Sequence, residues 1–171
     1  PHKAMVKRLI LLRHATSRPA SLGTEDHARD LTPTGRGEAT AVGDWLRARG
    51  HGPDVILCSD ARRTRETCAC LELTADVHYL PDLYHASAEE MLAVLCTGNG
   101  EAVMMIGHNP GIAECAGRIL KHPLQTGFAG YPPAATLVAD LAVRSWDDAQ
   151  FATAEMVDFV TPHELMGRDA T

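Results

Sequence analysis

At 171 residues, 45% hydrophobic and 22% charged, the chain has the size and composition of one globular domain with a substantial core. A formal net charge of −6 argues against nucleic acid or acidic lipid as a partner. The longest apolar runs are strand-sized, so we expect no membrane-spanning segment and no signal peptide. We predict a single domain over residues 5–165, with residues 1–4 set apart and a polar tail over residues 166–171.

The cysteines and histidines show no regular spacing. An odd number of cysteines, five, predicts reduced thiols and therefore a reducing, cytoplasmic compartment. Nine histidines are present, but no pair has the spacing of metal ligands on a helix or a hairpin. We therefore expect neither a metal ion nor a cofactor.

Strand-like apolar runs alternate with helix-length amphipathic segments. In chain order the predicted elements are a strand at 7–13, a helix from Thr32 and Pro33 to Gly50, a strand at 54–58, a helix from Ser59 to about residue 73, a strand at 77–80, a helix capped by Ser87, a strand at 101–106, a helix opened by Asn109 and Pro110, and strands at 135–143 and 151–160. Hydroxyl N-caps, proline in the first helical turn and glycine after the last turn set several of these boundaries. The alternation predicts an α/β fold, a three-layer α/β/α sandwich around a mostly parallel central sheet.

Basic and imidazole side chains follow three of the predicted strands. The first strand, in LILLRHATS, ends on two of them, three arginines follow the second strand, and the fourth, in EAVMMIGHNPG, ends on a histidine: Arg13, His14, Arg62, Arg63, Arg65 and His108. Ligands of parallel sheets bind at the carboxyl ends of the strands, beside the helix N-termini that follow. Taken singly, the arginines and His14 are typical of a solvated surface, and His108 is typical of a core histidine that is hydrogen-bonded at a helix cap. Together they predict an anion site, since arginines at a helix N-terminus are unfavourable unless an anion compensates them.

Five motifs in sequence order carry a family resemblance. They are LLRHATS, LTPTGRGEA, SDARRTRET, LYHASAEEML and IGHNPGI. This order resembles the histidine phosphatase superfamily, which includes cofactor-dependent phosphoglycerate mutases and acid phosphatases. Within it, the chain is most similar to the small bacterial phosphohistidine phosphatases of the SixA type, from residue 5 to about residue 165. The resemblance implies a phosphoglycerate mutase-like fold in a minimal version without large lid insertions, and a place in bacterial signalling.

The resemblance also implies roles for individual residues. His14 matches the nucleophile, whose attack on phosphorus gives a phosphohistidine intermediate that water hydrolyses. Arg13 and Arg63 match the two arginines that bind the phosphoryl group in the family, and Arg63 is chosen because it lies four residues before Thr67. A guanidinium group binds phosphate oxygens with two parallel hydrogen bonds. His108 matches a second histidine that contacts phosphate and would help as a cation. With this positive charge in place, no magnesium is required.

Four other arginines are less specific. Arg62 and Arg65 are expected on the surface of the second helix. The long loop at 15–31 carries Arg18 and Arg29, and loops of this length are often functional. We leave open whether Arg18 and Arg29 contact substrate or are solvated loop charges.

The chain departs from the superfamily pattern at three places. Ala15 stands where most members have glycine, and Asp60 replaces a common proline, both with little expected cost. The third departure is near His85, where many members have a glutamate general acid. The ionisable groups nearby are Asp82, His85, Glu89 and Glu90, and none matches cleanly. His85 is equally well interpreted as an acid or as a surface loop histidine.

These departures bear on the substrate. Expelling an alkoxide from a phosphate ester requires a proton donor, whereas a phosphohistidine imidazole can be protonated beforehand. The connection at 81–87 is short, which predicts an open site that a folded protein can approach. We therefore predict a phosphatase acting on protein phosphohistidine, with a phosphotransfer domain or a phosphocarrier as its partner and no role for nucleic acid or membrane.

Two alternatives stay open at this point. One is a phosphatase or mutase acting on a small phosphate ester such as a sugar phosphate, for which turnover would collapse in His85→Ala or Asp82→Ala. The other is a non-catalytic module that binds phosphoproteins. Retention of the four matching residues counts against this second alternative: Arg13, His14, Arg63 and His108.

Overall fold

The computed structural model describes residues 5–124, 127–128 and 130–167, and the predicted segment 1–4 and most of the predicted tail lie outside these ranges. The strands are β1 (Lys7–Arg13), β2 (Val55–Ser59), β3 (Asp76–Leu80), β4 (Ala102–Gly107), β5 (Thr136–Leu141) and β6 (Glu155–Val160). The helices are α1 (Pro33–Ala48), α2 (Arg62–Leu71), α3 (Ala88–Leu95) and α4 (Gly111–Ile119). In the described part of the chain, no helix has the length and hydrophobicity that crossing a bilayer requires.

All six strands form one sheet in the order β3-β2-β4-β1-β5-β6. The first four strands in this order are parallel to one another. Strand β5 is antiparallel to β1, and β6 is antiparallel to β5. Arg13 at the end of β1 pairs in register with Gly107 at the end of β4. The backbone N–H of His14 then donates to the Gly107 carbonyl at 3.1 Å, so His14 and His108 leave the sheet side by side.

Helices cover both faces of the sheet, as predicted. Ile10 and Leu12 of β1 are buried with the residues of α1 and α2, and Leu9 and Leu11 are buried with those of α3 and α4. This strict alternation follows from the two-residue period of a strand, which sends neighbouring side chains to opposite faces. The α/β/α sandwich expected from the sequence is therefore confirmed.

Two helix starts follow the predicted capping chemistry. The Thr32 hydroxyl accepts from the Gly35 N–H at 3.0 Å, with Pro33 as the first helical residue of α1. Ser87 and Glu90 form a reciprocal capping box at the start of α3. Gly50, just beyond α1, has φ +70°, the left-handed backbone that glycine adopts without steric cost.

Several predicted boundaries are wrong. Helix α2 does not begin at Ser59, because Ser59 is still the last residue of β2 and the N-cap is Ala61. β6 begins at Glu155 rather than near residue 151, because Ala152 turns the chain with φ +61°. β5 is also shorter than predicted. The predicted tail begins within a π-helical turn, His163–Gly167.

Candidate active site

A cavity of about 310 Å³ opens where β1, β2 and β4 end, and four side chains from three chain segments meet in it. They are those that the resemblance singled out, Arg13, His14, Arg63 and His108. The loop at 15–31 and the connection between β3 and α3 form further parts of the wall. The parallel arrangement of the strands is what brings these distant segments together, as the rule for ligand sites in such sheets predicts.

The His14 imidazole has a defined proton position. It is 7% exposed, and its Nδ1–H donates to the Ala15 carbonyl at 2.7 Å, which leaves the lone pair on Nε2. Burial, together with the charges of the nearby Arg13 and Arg63 guanidinium groups, lowers the pKa of His14 to about 4. His14 is therefore neutral near pH 7, with an unprotonated nitrogen that can act as a nucleophile.

The Thr67 hydroxyl group links the turn that carries His14 to helix α2 by hydrogen bonds. Thr67 Oγ1 accepts from the Ala15 N–H at 3.0 Å and donates to the Arg63 carbonyl at 2.7 Å. Thr67 is fully buried, so both hydrogen bonds are shielded from water. The nucleophile turn and the helix that bears Arg63 are thus held in one fixed relationship.

The His108 ring lies beside that of His14, with 5.3 Å between the ring centroids. Its Nε2 lies 2.8 Å from the Ser59 hydroxyl, and the ring is 3% exposed. Burial, followed by the charge of Arg63, lowers the pKa of His108 to about 2. His108 is therefore neutral in this structure, and it can act as a cation only where a bound anion raises its pKa again.

The two arginines expected to bind phosphate differ in their partners. Arg63 is 2% exposed and donates from Nη1 and Nη2 to the main-chain and side-chain oxygens of Asp26, at 2.8 and 3.2 Å. Arg13 donates from Nη1 to the Tyr131 carbonyl at 3.2 Å. The Nε atom of each arginine is buried with no hydrogen-bond partner among the described residues. Buried donors without partners are costly, and an anion would satisfy them.

Arg62 and Arg65 lie outside the cavity, as expected. Arg62 pairs with Glu66 at 3.0 Å on the surface of α2, and Arg65 lies 5.2 Å from the centre of the Tyr79 ring. Of the two loop arginines, Arg29 lines the cavity. Arg18 pairs with Asp30 at 3.2 Å and does not.

Asp26 is a cavity residue that the sequence did not reveal. Besides Arg63, its carboxylate accepts hydrogen bonds from Arg29 at 2.9 Å, from His85 at 3.0 Å and from the Tyr84 hydroxyl. The bond from Tyr84 is the main cause that holds the pKa of Asp26 well below its usual range. Asp26 is thus a fixed negative charge that organises one wall of the cavity. The only sequence signal for it was its position in an unusually long loop.

Comparison with known proteins identifies the family. A family model described as the histidine phosphatase superfamily (branch 1) matches residues 9–91. The solved structure of a putative phosphohistidine phosphatase SixA from Nakamurella multipartitia is 31% identical, with a TM-score of 0.80, over 92% of this chain and 96% of that one. This chain belongs to the histidine phosphatase superfamily.

Two more relatives place the chain within the superfamily. A putative phosphohistidine phosphatase SixA from Agrobacterium tumefaciens is 28% identical, with a TM-score of 0.75, over 91% of this chain and 98% of that one. An uncharacterized chloroplastic protein of Arabidopsis thaliana is 35% identical over 131 residues. That match covers 68% of this chain and 60% of the length of the Arabidopsis protein. The SixA-like resemblance inferred from the motifs is confirmed.

Among the candidates for a superfamily general acid, only His85 lines the cavity. Its ring centroid lies 5.4 Å from that of His108. Asp82 faces a separate groove beside α3, Glu89 pairs with Arg118, and Glu90 caps α3. The expectation that Asp82 could serve as an acid is therefore not supported by its position.

The other departures from the superfamily pattern have local explanations. Ala15 is fully buried and packs with Leu12 and Leu31 in the core between the sheet and α1, so a methyl group is accommodated where glycine is usual. Asp60 precedes the N-cap of α2 and pairs with His27 of the long loop at 2.9 Å. Asp60 therefore helps to tie that loop to the start of α2.

Proposed function

We propose that this chain is a phosphatase that removes the phosphoryl group from protein phosphohistidine through a covalent intermediate on His14. The observation that carries the proposal is the neutral His14 imidazole, with its lone pair on Nε2, in one cavity with two arginines whose buried Nε donors have no partner among the described residues. A neutral imidazole and fixed positive charge are the two components that phosphoryl transfer to histidine requires.

In the first step, His14 Nε2 attacks phosphorus and the bond from phosphorus to the substrate nitrogen breaks. Negative charge on the three equatorial oxygens is stabilised by Arg13 and Arg63, which cost no reorganisation because they are already in place. In the second step, water attacks phosphorus on the side that the leaving group has vacated. The bond to Nε2 breaks, and His14 leaves as a neutral imidazole because Nδ1 kept its proton throughout.

The assignment of a protein substrate is supported by the rim of the cavity. The connection between β3 and α3 is a short 3₁₀ turn, Pro81–Leu83, followed by Tyr84, His85 and Ala86. A histidine on the surface of a folded partner can therefore approach. Similarity to the SixA structures supports the same substrate class, with a phosphotransfer domain or a phosphocarrier of a bacterial signalling pathway as the partner and the cytoplasm as the location.

A second candidate is a phosphatase acting on small phosphate esters. It is favoured by one observation, the position of His85 in the cavity wall. No residue matches the usual glutamate acid of the superfamily, but an imidazole at this place can protonate an alkoxide leaving group. The chain's similarity to a yeast broad-specificity phosphatase, 31% over 85 residues, is compatible with this candidate.

Phosphate release distinguishes the two candidates. The substrates are a phosphohistidine-bearing phosphocarrier protein and a panel of sugar phosphates, with His14→Ala as the blank. His78→Ala is the matched control, because His78 is an exposed histidine of β3 that pairs with Asp76 away from the cavity. We expect P–N cleavage to be much faster than ester cleavage, with both lost only in His14→Ala. Faster ester cleavage would favour the second candidate, and no release from any substrate would overturn both.

A further inference from the structure

Asp26 and His85 form a hydrogen-bonded pair on the wall of the cavity. Asp26 comes from the long loop at 15–31, and His85 comes from the connection between β3 and α3. Their contact joins Asp26 Oδ2 to His85 Nε2 at 3.0 Å. Both side chains line the same cavity as His14 and His108.

The partners of Asp26 decide which nitrogen of His85 carries a proton. Oδ2 of Asp26 also accepts from the Tyr84 hydroxyl and from Arg63 Nη2. A carboxylate surrounded by these donors is ionised and can only accept hydrogen bonds. His85 Nε2 must therefore be an N–H donor, which leaves Nδ1 as the ring nitrogen available for proton transfer.

The position of the His85 ring is fixed by its surroundings. The ring centroid lies 4.1 Å from that of Tyr84 and 5.4 Å from that of His108. The backbone of His85 has φ +54°, in the left-handed region that non-glycine residues adopt at a cost. The side chain is nevertheless 52% exposed, so water and a leaving group both have access to it.

We propose that Asp26 and His85 form the acid–base pair of this site, with His85 Nδ1 moving the proton and Asp26 orienting the ring. This inference rests on the proposed phosphatase function and identifies the group that handles the proton. In this role His85 exchanges a proton with the leaving group and the water and is a catalytic residue, whereas Asp26 acts through His85 and is a positioning residue. The arrangement resembles other carboxylate–imidazole pairs, in which a buried or fixed carboxylate sets the tautomer of a catalytic histidine.

The proton balance closes over one turnover. While His14 Nε2 attacks phosphorus, protonated Nδ1 of His85 gives its proton to the leaving nitrogen or oxygen, and His85 becomes neutral. When water attacks the phosphohistidine intermediate, neutral Nδ1 takes a proton from that water as the bond from phosphorus to Nε2 of His14 breaks. Inorganic phosphate leaves, and His85 is protonated again.

One group can serve both steps because leaving group and water occupy the same side of phosphorus. Each displacement is in line, so the departing group and the incoming water both lie opposite His14. A single imidazole on that side is sufficient. His108 is not placed for this role, since its Nε2 is engaged with the Ser59 hydroxyl at 2.8 Å.

The chain contains a natural control pair. His27, on the same loop as Asp26, has its Nε2 2.9 Å from Asp60 Oδ1 and its ring against the edge of Tyr84. It is a similarly exposed carboxylate–imidazole pair, but neither His27 nor Asp60 lines the cavity. His27→Gly therefore removes an equivalent pair next to the site. Because this pair also ties the long loop to the start of α2, the variant measures the loss of that anchoring separately from the loss of the proposed proton donor and acceptor.

The decisive experiment is chemical rescue of His85→Gly. Glycine adopts φ +54° without cost, so this variant is expected to fold, and its thermal unfolding is measured alongside. The substrate is p-nitrophenyl phosphate, whose leaving group needs no proton. We expect steady-state turnover to fall by about 10²–10⁴-fold, the usual contribution of a general acid or base. We also expect a larger burst of nitrophenol than in wild type, with phosphate trapped on His14.

Added imidazole should restore turnover in His85→Gly and leave His27→Gly unchanged. Phosphorus NMR must find inorganic phosphate as the product. Phosphoimidazole would mean that the added imidazole, and not water, had attacked phosphorus. Asp26→Asn should also accumulate phosphoenzyme, although imidazole should not rescue it because the His85 ring still occupies the space.

The outcomes separate the inference from the proposed function. Wild-type turnover with an equally active, burst-free His85→Gly would overturn the acid–base pair and leave the phosphatase standing. The same holds if His85→Gly is slow but neither accumulates phosphoenzyme nor responds to imidazole, since that is the behaviour of a structural defect. A wild-type chain that neither turns over p-nitrophenyl phosphate nor becomes labelled on His14 would overturn both.

Discussion

The Ser59 hydroxyl lies 2.8 Å from Nε2 of His108, although the two residues are 49 positions apart in the chain. Ser59 ends β2 and His108 follows β4, and these strands are neighbours in the sheet. Both side chains are buried, so this hydrogen bond is the polar contact that orients His108 towards the His14 ring.

We expect Ser59→Ala to weaken catalysis by letting the His108 ring turn. A buried hydrogen bond of this kind contributes about 1 kcal/mol, so the free energy of unfolding should fall by a similar amount. The rate constant kcat/KM should fall by about fivefold, which is the same energy expressed as a rate. Ser145→Ala, in the turn after β5 at the opposite end of the sheet, is the matched control and should change neither quantity in this way.

The pH dependence of activity should reflect the pKa of His14. Because burial lowers that pKa to about 4, the nucleophile stays unprotonated well below the usual histidine value of 6.5. The acidic limb of the profile of kcat/KM should therefore lie near pH 4 rather than near pH 6.5, with an acid-stable substrate. A limb centred near 6.5 that is assigned to His14 by NMR titration would contradict the burial argument.

Stability should fall with pH in the same range, and the sign follows from linkage. His14 and His108 have lower pKa values folded than unfolded, so between about pH 6.5 and pH 4 the unfolded chain binds more protons. Each histidine then contributes a slope of about 1.4 kcal/mol per pH unit, and stability is lost as pH falls. Urea unfolding between pH 7 and pH 4 measures this slope. His14→Gln and His108→Gln should each make it shallower, whereas His78→Gln should not.

The sequence was sufficient to predict the sheet and the meeting of Arg13, His14 and His108 at one of its edges, for a physical reason, whereas the choice of Arg63 among three arginines rests on the family resemblance. Continuous apolar runs of strand length and helices with capping signals are local patterns, and parallel strands necessarily bring their carboxyl ends to one edge. Arg13, His14 and His108 stand directly at strand ends, and Arg63 stands in the first turn of the helix that follows one. Their meeting point therefore follows from the element order.

The rest of the site depends on contacts that no local pattern encodes. Asp26 meets His85 across 59 positions of sequence, and both lie in connections without periodicity. Their contact depends on the path of the long loop, which is fixed by tertiary pairs such as His27 with Asp60. The predicted N-cap at Ser59 is wrong for a related reason. A hydroxyl group just before a helix predicts an N-cap, but in the structure the Ser59 hydroxyl contacts His108, which follows the neighbouring strand.

Thr67→Val should uncouple the nucleophile turn from α2. Valine keeps the shape of threonine but leaves the Ala15 N–H and the Arg63 carbonyl without their shared partner. The buried Ala15 N–H loses its partner at a cost of about 1–3 kcal/mol, whereas the Arg63 carbonyl keeps the Thr67 backbone N–H as its helical partner, so thermal unfolding should occur at a lower temperature. Thr40→Val is the control, because Thr40 makes a similar bond to Arg36 on the exposed side of α1. Equal effects of the two substitutions would argue against a special role for Thr67.

Gly35→Ala should be damaging although alanine is the better helix former. A Cβ atom at Gly35 would lie 2.0 Å from the main-chain oxygen of Thr16, two residues after His14, so α1 or the nucleophile turn must move. The usual gain of about 1 kcal/mol from replacing a helical glycine should therefore be reversed, and kcat/KM should fall with stability. Gly37→Ala, whose Cβ meets only Met166 Cε at 3.5 Å, tests the same substitution one half-turn away and should be neutral or stabilising. If the two variants unfold at the same temperature, the close approach of Gly35 to the nucleophile turn does not constrain this fold.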